Sequence, residues 1–192
     1  MHRVISLGIL ALILVSGCID LIYKPGPGSS QNLISCDFFT DITSRDACFK
    51  EKAITEKDAS VCEKIELQAT KDECWSGVSG AKGEVLLCLN ISSALLKGTC
   101  FDAQAAALTK TNSCVSLSDA GKLSECHFYA ARATENEVLC EKAGVQKDQC
   151  YHDVALRIPS TQTCLGIADI TLRDNCLHDA AILTKEGAVC DQ

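Results

Sequence analysis

Proline, aromatic residues and runs of like charge are all scarce in this chain. Three prolines stand among 192 residues, and none falls between Gly28 and Ile158, so nothing in that stretch stops a helix through a missing N–H. Aromatic residues make up 5% and tryptophan occurs once, which excludes a thick aromatic core. Basic and acidic residues number 18 and 25, interspersed, for a net charge of −7. That balance argues against nucleic acid as a partner and against adhesion to an anionic lipid surface. Strand-type alternation of polar and apolar residues is missing. So are C-x₂-C ligand pairs, a C-x-x-C-H haem attachment, a G-x-S-x-G nucleophile turn and an H-E-x-x-H zinc helix. These absences leave no cofactor and no enzymatic chemistry to expect.

What the chain has in excess is cysteine, 14 in all. After Cys18 they fall at Cys36, Cys48, Cys62, Cys74, Cys88, Cys100, Cys114, Cys126, Cys140, Cys150, Cys164, Cys176 and Cys190. The gaps alternate 12 and 14, with one gap of 10 between Cys140 and Cys150. A fixed period of 26 predicts a tandem-repeat protein, each unit burying its apolar face by stacking on its neighbours. Residues 34–192 hold six full units and a truncated seventh. Cysteine usage this dense implies disulfides formed in an oxidising compartment. In the loop-entropy picture a bridge across a dozen residues contributes roughly 3 kcal/mol.

The segment 1–17 has one arginine, Arg3, and then a largely apolar run from Val4 to Val15. The run is too short to span a bilayer and suits the apolar core of a secretory signal. It ends in Val15-Ser16-Gly17-Cys18, which resembles the lipobox of prokaryotic lipoproteins. The resemblance implies cleavage before Cys18, lipidation of its sulfur, and anchoring to the cell membrane on the extracytoplasmic side. Residues 18–33 then read as a flexible linker, with Pro25, Gly26, Pro27, Gly28 and two serines.

Each repeat reads as a short helix of about two turns, a tight turn, a longer helix of three to four turns and another turn. Three residues past the first cysteine of each unit come Phe39, Ile65, Ile91, Leu117, Ala143 and Ile167, an i, i+3 pairing on one helical face. Asp58, Asn136 and Ser160 precede short helices as N-cap types. One residue past the second cysteine stand Phe49, Trp75, Phe101, His127, Tyr151 and Leu177; five past it stand Ala53, Ser79, Ala105, Ala131, Ala155 and Ala181. A bulky residue followed one turn later by a small one predicts a packing stripe, with His127 as a core histidine. Arg45-Asp46, Lys71-Asp72, Lys147-Asp148 and Arg173-Asp174 recur ahead of the second cysteine. These aspartates read as first-turn partners of the helix dipole, with Thr43, Thr70 and Thr171 as caps. Pro159 marks a boundary between helices.

Two pairing schemes are open. In the first the partners are Cys36–Cys48, Cys62–Cys74, Cys88–Cys100, Cys114–Cys126, Cys140–Cys150 and Cys164–Cys176, leaving Cys190 as a free thiol. In the second they are 14 apart, from Cys48–Cys62 to Cys176–Cys190, leaving Cys36. The first is favoured, because its partners lie level across the hairpin turn and the two-residue deletion near Gly144 keeps them level.

His152-Asp153 and His178-Asp179 occupy equivalent places in successive units, which makes them weak metal candidates. Asn90-Ile91-Ser92 is a glycosylation sequon. The paired-cysteine helical units, with a small residue at the fifth position, resemble disulfide-stapled Sel1-like and tetratricopeptide repeats over Ile34 to Gln192. The likeness is of architecture alone, since the period is shorter and the W-x₂-L-G-x₂-Y run is missing. It implies an all-α solenoid of helical hairpins that presents a surface to a protein or peptide partner or serves as an envelope spacer. The alternative is an extracytoplasmic thiol-redox or metal-handling protein.

Overall fold

The computed structural model describes residues 35–111 and 113–184. They form an all-α hairpin repeat, with no strand among the described residues. A 3-10 turn at Cys36–Phe38 leads into α1 (Ile42–Glu56), and one at Ala59–Lys64 into α2 (Gln68–Lys82). Val85–Asn90 precedes α3 (Ala94–Ala103) and α4 (Ala105–Thr111), and Ser113–Ser116 precedes α5 (Ala120–Thr134). Glu137–Lys142 and Gly144–Gln146 lead to α6 (Lys147–Arg157), and α7 (Thr161–Cys164) to α8 (Ile170–Thr184). Each long helix packs on the next along the chain.

The short helices are mostly 3-10 rather than α. In a 3-10 helix residues i and i+3 eclipse, so Cys62 and Ile65, or Cys88 and Ile91, point the same way into the core, where all four are buried. Asp58, Asn136 and Ser160 do cap the short helices, accepting from the N–H of Ser60, Val138 and Thr163. The long helices are capped elsewhere than expected: Thr43, Thr70 and Thr171 lie inside the first turn. Where a side chain caps, the oxygen belongs to Asp41, Ser93, Asp119 or Asp169, seven residues ahead of the second cysteine, each accepting from an N–H three residues on; α2 and α6 start after Leu67 and Gln146 with no side-chain cap. Helices α1, α2 and α5 end on left-handed residues, Lys57, Gly83 and Glu135. Each turns its N–H back onto the last turn, satisfying a carbonyl that the helix leaves over.

Six disulfides join Cys36–Cys48, Cys62–Cys74, Cys88–Cys100, Cys114–Cys126, Cys140–Cys150 and Cys164–Cys176, with Cα separations of 5.4 to 5.8 Å. Each bridge clips a short helix to the long helix that follows it. Cys18 and Cys190 lie outside the described residues. The small residues Ala53, Ser79, Ala131 and Ala155 are fully buried. Among the described residues no helix is long and apolar enough to cross a membrane.

The recurrent aspartates do something other than face a helix dipole. Asp46 is completely buried, and its Oδ2 accepts from the backbone N–H groups of Glu66 (3.0 Å) and Leu67 (2.7 Å). Asp72 accepts in the same way from Ser92 and Ser93, and Asp148 from Ala168 and Asp169. In every case the donors lie 20 and 21 residues on, in the turn of the next unit. The carboxylate is therefore a connector between repeats. A charge-assisted pair of this kind contributes about 1.5–3 kcal/mol per bond.

Candidate functional site

Units three and four break the pattern. Gly98 stands where the connector of unit three is due, and Ser124 where that of unit four is due. The two junctions are held by side chains instead. Lys97 Nζ lies 2.5 Å from Glu125 Oε1, and the Phe101 ring stacks on Tyr129 with centroids 5.2 Å apart. Tyr129 meets Phe128 edge-on at 5.0 Å. The Arg132 guanidinium lies over both rings, at 5.6 and 5.8 Å, and its Nε is 3.2 Å from Asp153. A Cβ at Gly98 would make only ordinary contact with this group, 3.5 Å from Arg132 Nη1 and 3.7 Å from the Tyr129 ring. Burial and the Glu125 carboxylate push the Tyr129 hydroxyl above its ordinary pKa, so the cluster carries a neutral phenol among its charges.

The long helix of unit three is interrupted although no proline is present. Four residues past the second cysteine, where Val78 and Val154 fill the core, unit three has Gln104. Its Nε2 donates to Ser79 Oγ (2.5 Å) and reaches the Cys88 sulfur (3.4 Å), while Oε1 is buried without a partner. A polar group in an apolar slot pulls toward local partners, and the backbone leaves α-helical geometry there before α4 resumes.

Three clefts border this irregular stretch. One of about 420 Å³ lies between the 3-10 helices Val85–Asn90 and Ser113–Ser116, with Val85, Leu86, Leu87 and Val115 in its wall. Val115 is 62% exposed. A second, of about 300 Å³, is lined by Leu108, Thr109, His127, Thr134, Asn136 and Leu139, among others. A third, of about 360 Å³, runs along Ser76, Gly80, Thr99 and Gln104. His127 is 3% exposed, its Nδ1 has no partner, and burial followed by the Lys142 charge lowers its pKa. It fills the bulky slot as a neutral imidazole.

The four metal candidates do not assemble. Asp153 accepts from Gln149 Nε2 (2.7 Å) and pairs with Arg132 of the preceding unit, and His152 Nδ1 lies 3.6 Å from Asp153 Oδ1. Asp153 is thus neutralised toward unit four rather than turned toward His178 and Asp179. Among the described residues no three His, Cys, Asp or Glu side chains form a group able to hold a metal ion. Asn90 ends a 3-10 helix with its side chain exposed, while the sequon's Ser92 is engaged by Asp72 through its N–H and by Gln68 through its hydroxyl.

The break at Gln104 has only a weak signal in the sequence, because the same position holds Val78, Ala130, Val154 and Ala180 but also Lys52. The clefts have none, because they arise from the spacing between units. No family model matches the chain, and neither a curated protein nor a solved structure is matched by it.

Proposed function

We propose that this chain is a non-enzymatic, extracytoplasmic repeat scaffold, tethered to a membrane through lipidated Cys18, that binds a protein or peptide partner at units three and four. The observation that carries the reading is the apolar groove of about 420 Å³ between Val85–Asn90 and Ser113–Ser116. It sits in the stretch where the chain gives up its own backbone connectors. Apolar walls with a few polar groups at the rim suit an apolar side chain from a partner segment. The six disulfides support an oxidising, extracytoplasmic setting. The lipobox-like Val15-Ser16-Gly17-Cys18 supports the anchor.

The test is selection of a displayed random peptide library on the oxidised full chain. Enriched peptides carrying apolar anchors are expected, with binding lost in Val115→Glu and kept in Leu165→Glu, which alters an exposed residue far along the sequence. Peptides that bind both variants equally overturn the groove as the site. Metabolic labelling with an acyl-chain precursor, expected to mark the wild type and not Cys18→Ala, tests the anchor separately.

A further inference from the structure

Among the described residues, the connector found inside the chain recurs as an unmet acceptor on α8 and as unmet donors in the first unit. Asp174 on α8 is the counterpart of Asp46, Asp72 and Asp148, two residues ahead of the second cysteine. Its side chain is exposed and meets no backbone donor among the described residues. In the first unit, the counterparts of the paired donors are the N–H groups of Thr40 and Asp41. Both residues are exposed, and neither N–H donates a hydrogen bond. The apolar surface around these groups is open too. Ile65, Ile91 and Ile167 are at most 2% exposed, whereas their counterpart Phe39 is 39% exposed and Phe38 beside it 78%. On α8, Leu177 is only partly covered, while Phe49, Trp75, Phe101 and Tyr151 in the same slot are buried.

We propose that α8 of one copy docks on the first unit of a second copy, Asp174 accepting from the N–H groups of Thr40 and Asp41 and so extending the array head to tail. The junction between α6 and α8 is the template. There Asp148 accepts from Ala168 and from Asp169, and Asp169 is itself an N-cap aspartate like Asp41. The carboxylate of the cap turns to its own helix and leaves its backbone N–H for the connector, so two aspartates meet there without conflict. At that junction the Tyr151 ring covers Gly166 so closely that a Cβ on the glycine would fall 2.8 Å from the ring. In the intermolecular version the sizes are reversed, the smaller Leu177 facing the position of the larger Phe38. A contact between two different faces is heterologous, and it propagates unless the rotation closes a ring. The proposal stands whether or not the groove beside Val115 binds a peptide.

The experiment is sedimentation velocity of the full oxidised chain in detergent across a concentration series. The wild type is expected to associate with increasing concentration. Asp174→Ala and Phe38→Asp, each changing an exposed residue at one end, are each expected to weaken association about tenfold or more. Unchanged circular dichroism and melting temperature show that both variants are folded. Mixed in equal amounts the two variants are expected to regain a heterodimer that grows no further, since each keeps the end the other lacks. A wild type that stays monomeric throughout, or association insensitive to both substitutions, overturns the proposal. So does a failure of the mixture to recover, which would mark a symmetric interface.

Discussion

Asp46 Oδ2 lies 2.7 Å from the backbone nitrogen of Leu67, in the turn that opens the next repeat. The contact recurs between Asp72 and Ser93 and between Asp148 and Asp169. It ties successive hairpins to one another, as each disulfide ties a hairpin to itself. The two cross-links act at different levels, so they should fail separately.

Removing a connector should loosen a junction without opening a hairpin. Asp72→Ala leaves the N–H groups of Ser92 and Ser93 without their acceptor and takes one of two acceptors from the Gln68 amide, a loss of about 2–4 kcal/mol. Urea unfolding with the disulfides intact should show it as a lower midpoint. Asp174→Ala, which removes no bond among the described residues, should change the monomer's midpoint by no more than about 0.5 kcal/mol equivalent.

The connectors also set an acid limit. Burial pushes the Asp72 pKa up, but the N–H groups of Ser92 and Ser93 and the Gln68 amide outweigh it, and the net shift is downward. The Asp148 pKa is lowered by the N–H groups of Asp169 and Ala168. A carboxylate with a depressed folded pKa contributes stability that is fully present above its unfolded pKa of about 3.9. That contribution is lost as pH falls through the folded value. The melting temperature should hold down to about pH 5 and then drop, and the drop should be shallower in Asp72→Ala/Asp148→Ala.

His127 should produce a second, milder slope. Its folded pKa lies below the ordinary 6.5, so the unfolded chain takes up a proton first and stability falls as pH drops below that value. His127→Phe puts a ring already used in units one and three into the slot and removes a buried unpartnered nitrogen. It should raise stability by about 1 kcal/mol at neutral pH and flatten the profile between pH 5 and about 6.5.

Two glycines should resist substitution for different reasons. Gly144 has φ +57° and a Cβ there would meet Ser124 Oγ at 2.5 Å, so Gly144→Ala should cost about 1–2 kcal/mol through backbone conformation and contact together. Ser124→Gly in the same chain should recover only the contact part. Gly166→Ala drives a methyl against the Tyr151 ring and should cost about 1–3 kcal/mol, recovered in part by Tyr151→Leu. Calorimetric melting of the single and double variants separates the two cases.

Much of this was legible because it is local. The caps Asp58, Asn136 and Ser160, the boundary at Pro159 and the buried small residues Ala53, Ser79, Ala131, Ala155 and Ala181 follow from helix geometry within a few residues, whereas Ala105, just past the helix break at Gln104, is only half-buried. The caps of α1 and α8 were misplaced by two residues because threonine and aspartate are both cap types and only the turn's conformation chooses between them; the cap expected at Thr70 is missing, since α2 starts after Leu67 with no side-chain cap. Gln104 carried little signal, since Lys52 shares its slot, and its cost depends on Ser79, brought alongside by the preceding unit, and on the Cys88 sulfur of its own unit's disulfide.

The sequence by itself determined the repeat, its helices and the level at which the cysteines stand, since these depend on spacing along one chain. The tertiary structure decided where the recurrent aspartates go and where clefts open. Their partners are backbone N–H groups, which every residue but proline carries. A donor 20 residues away therefore leaves no trace in the order of side chains until the turn that presents it is folded against the carboxylate.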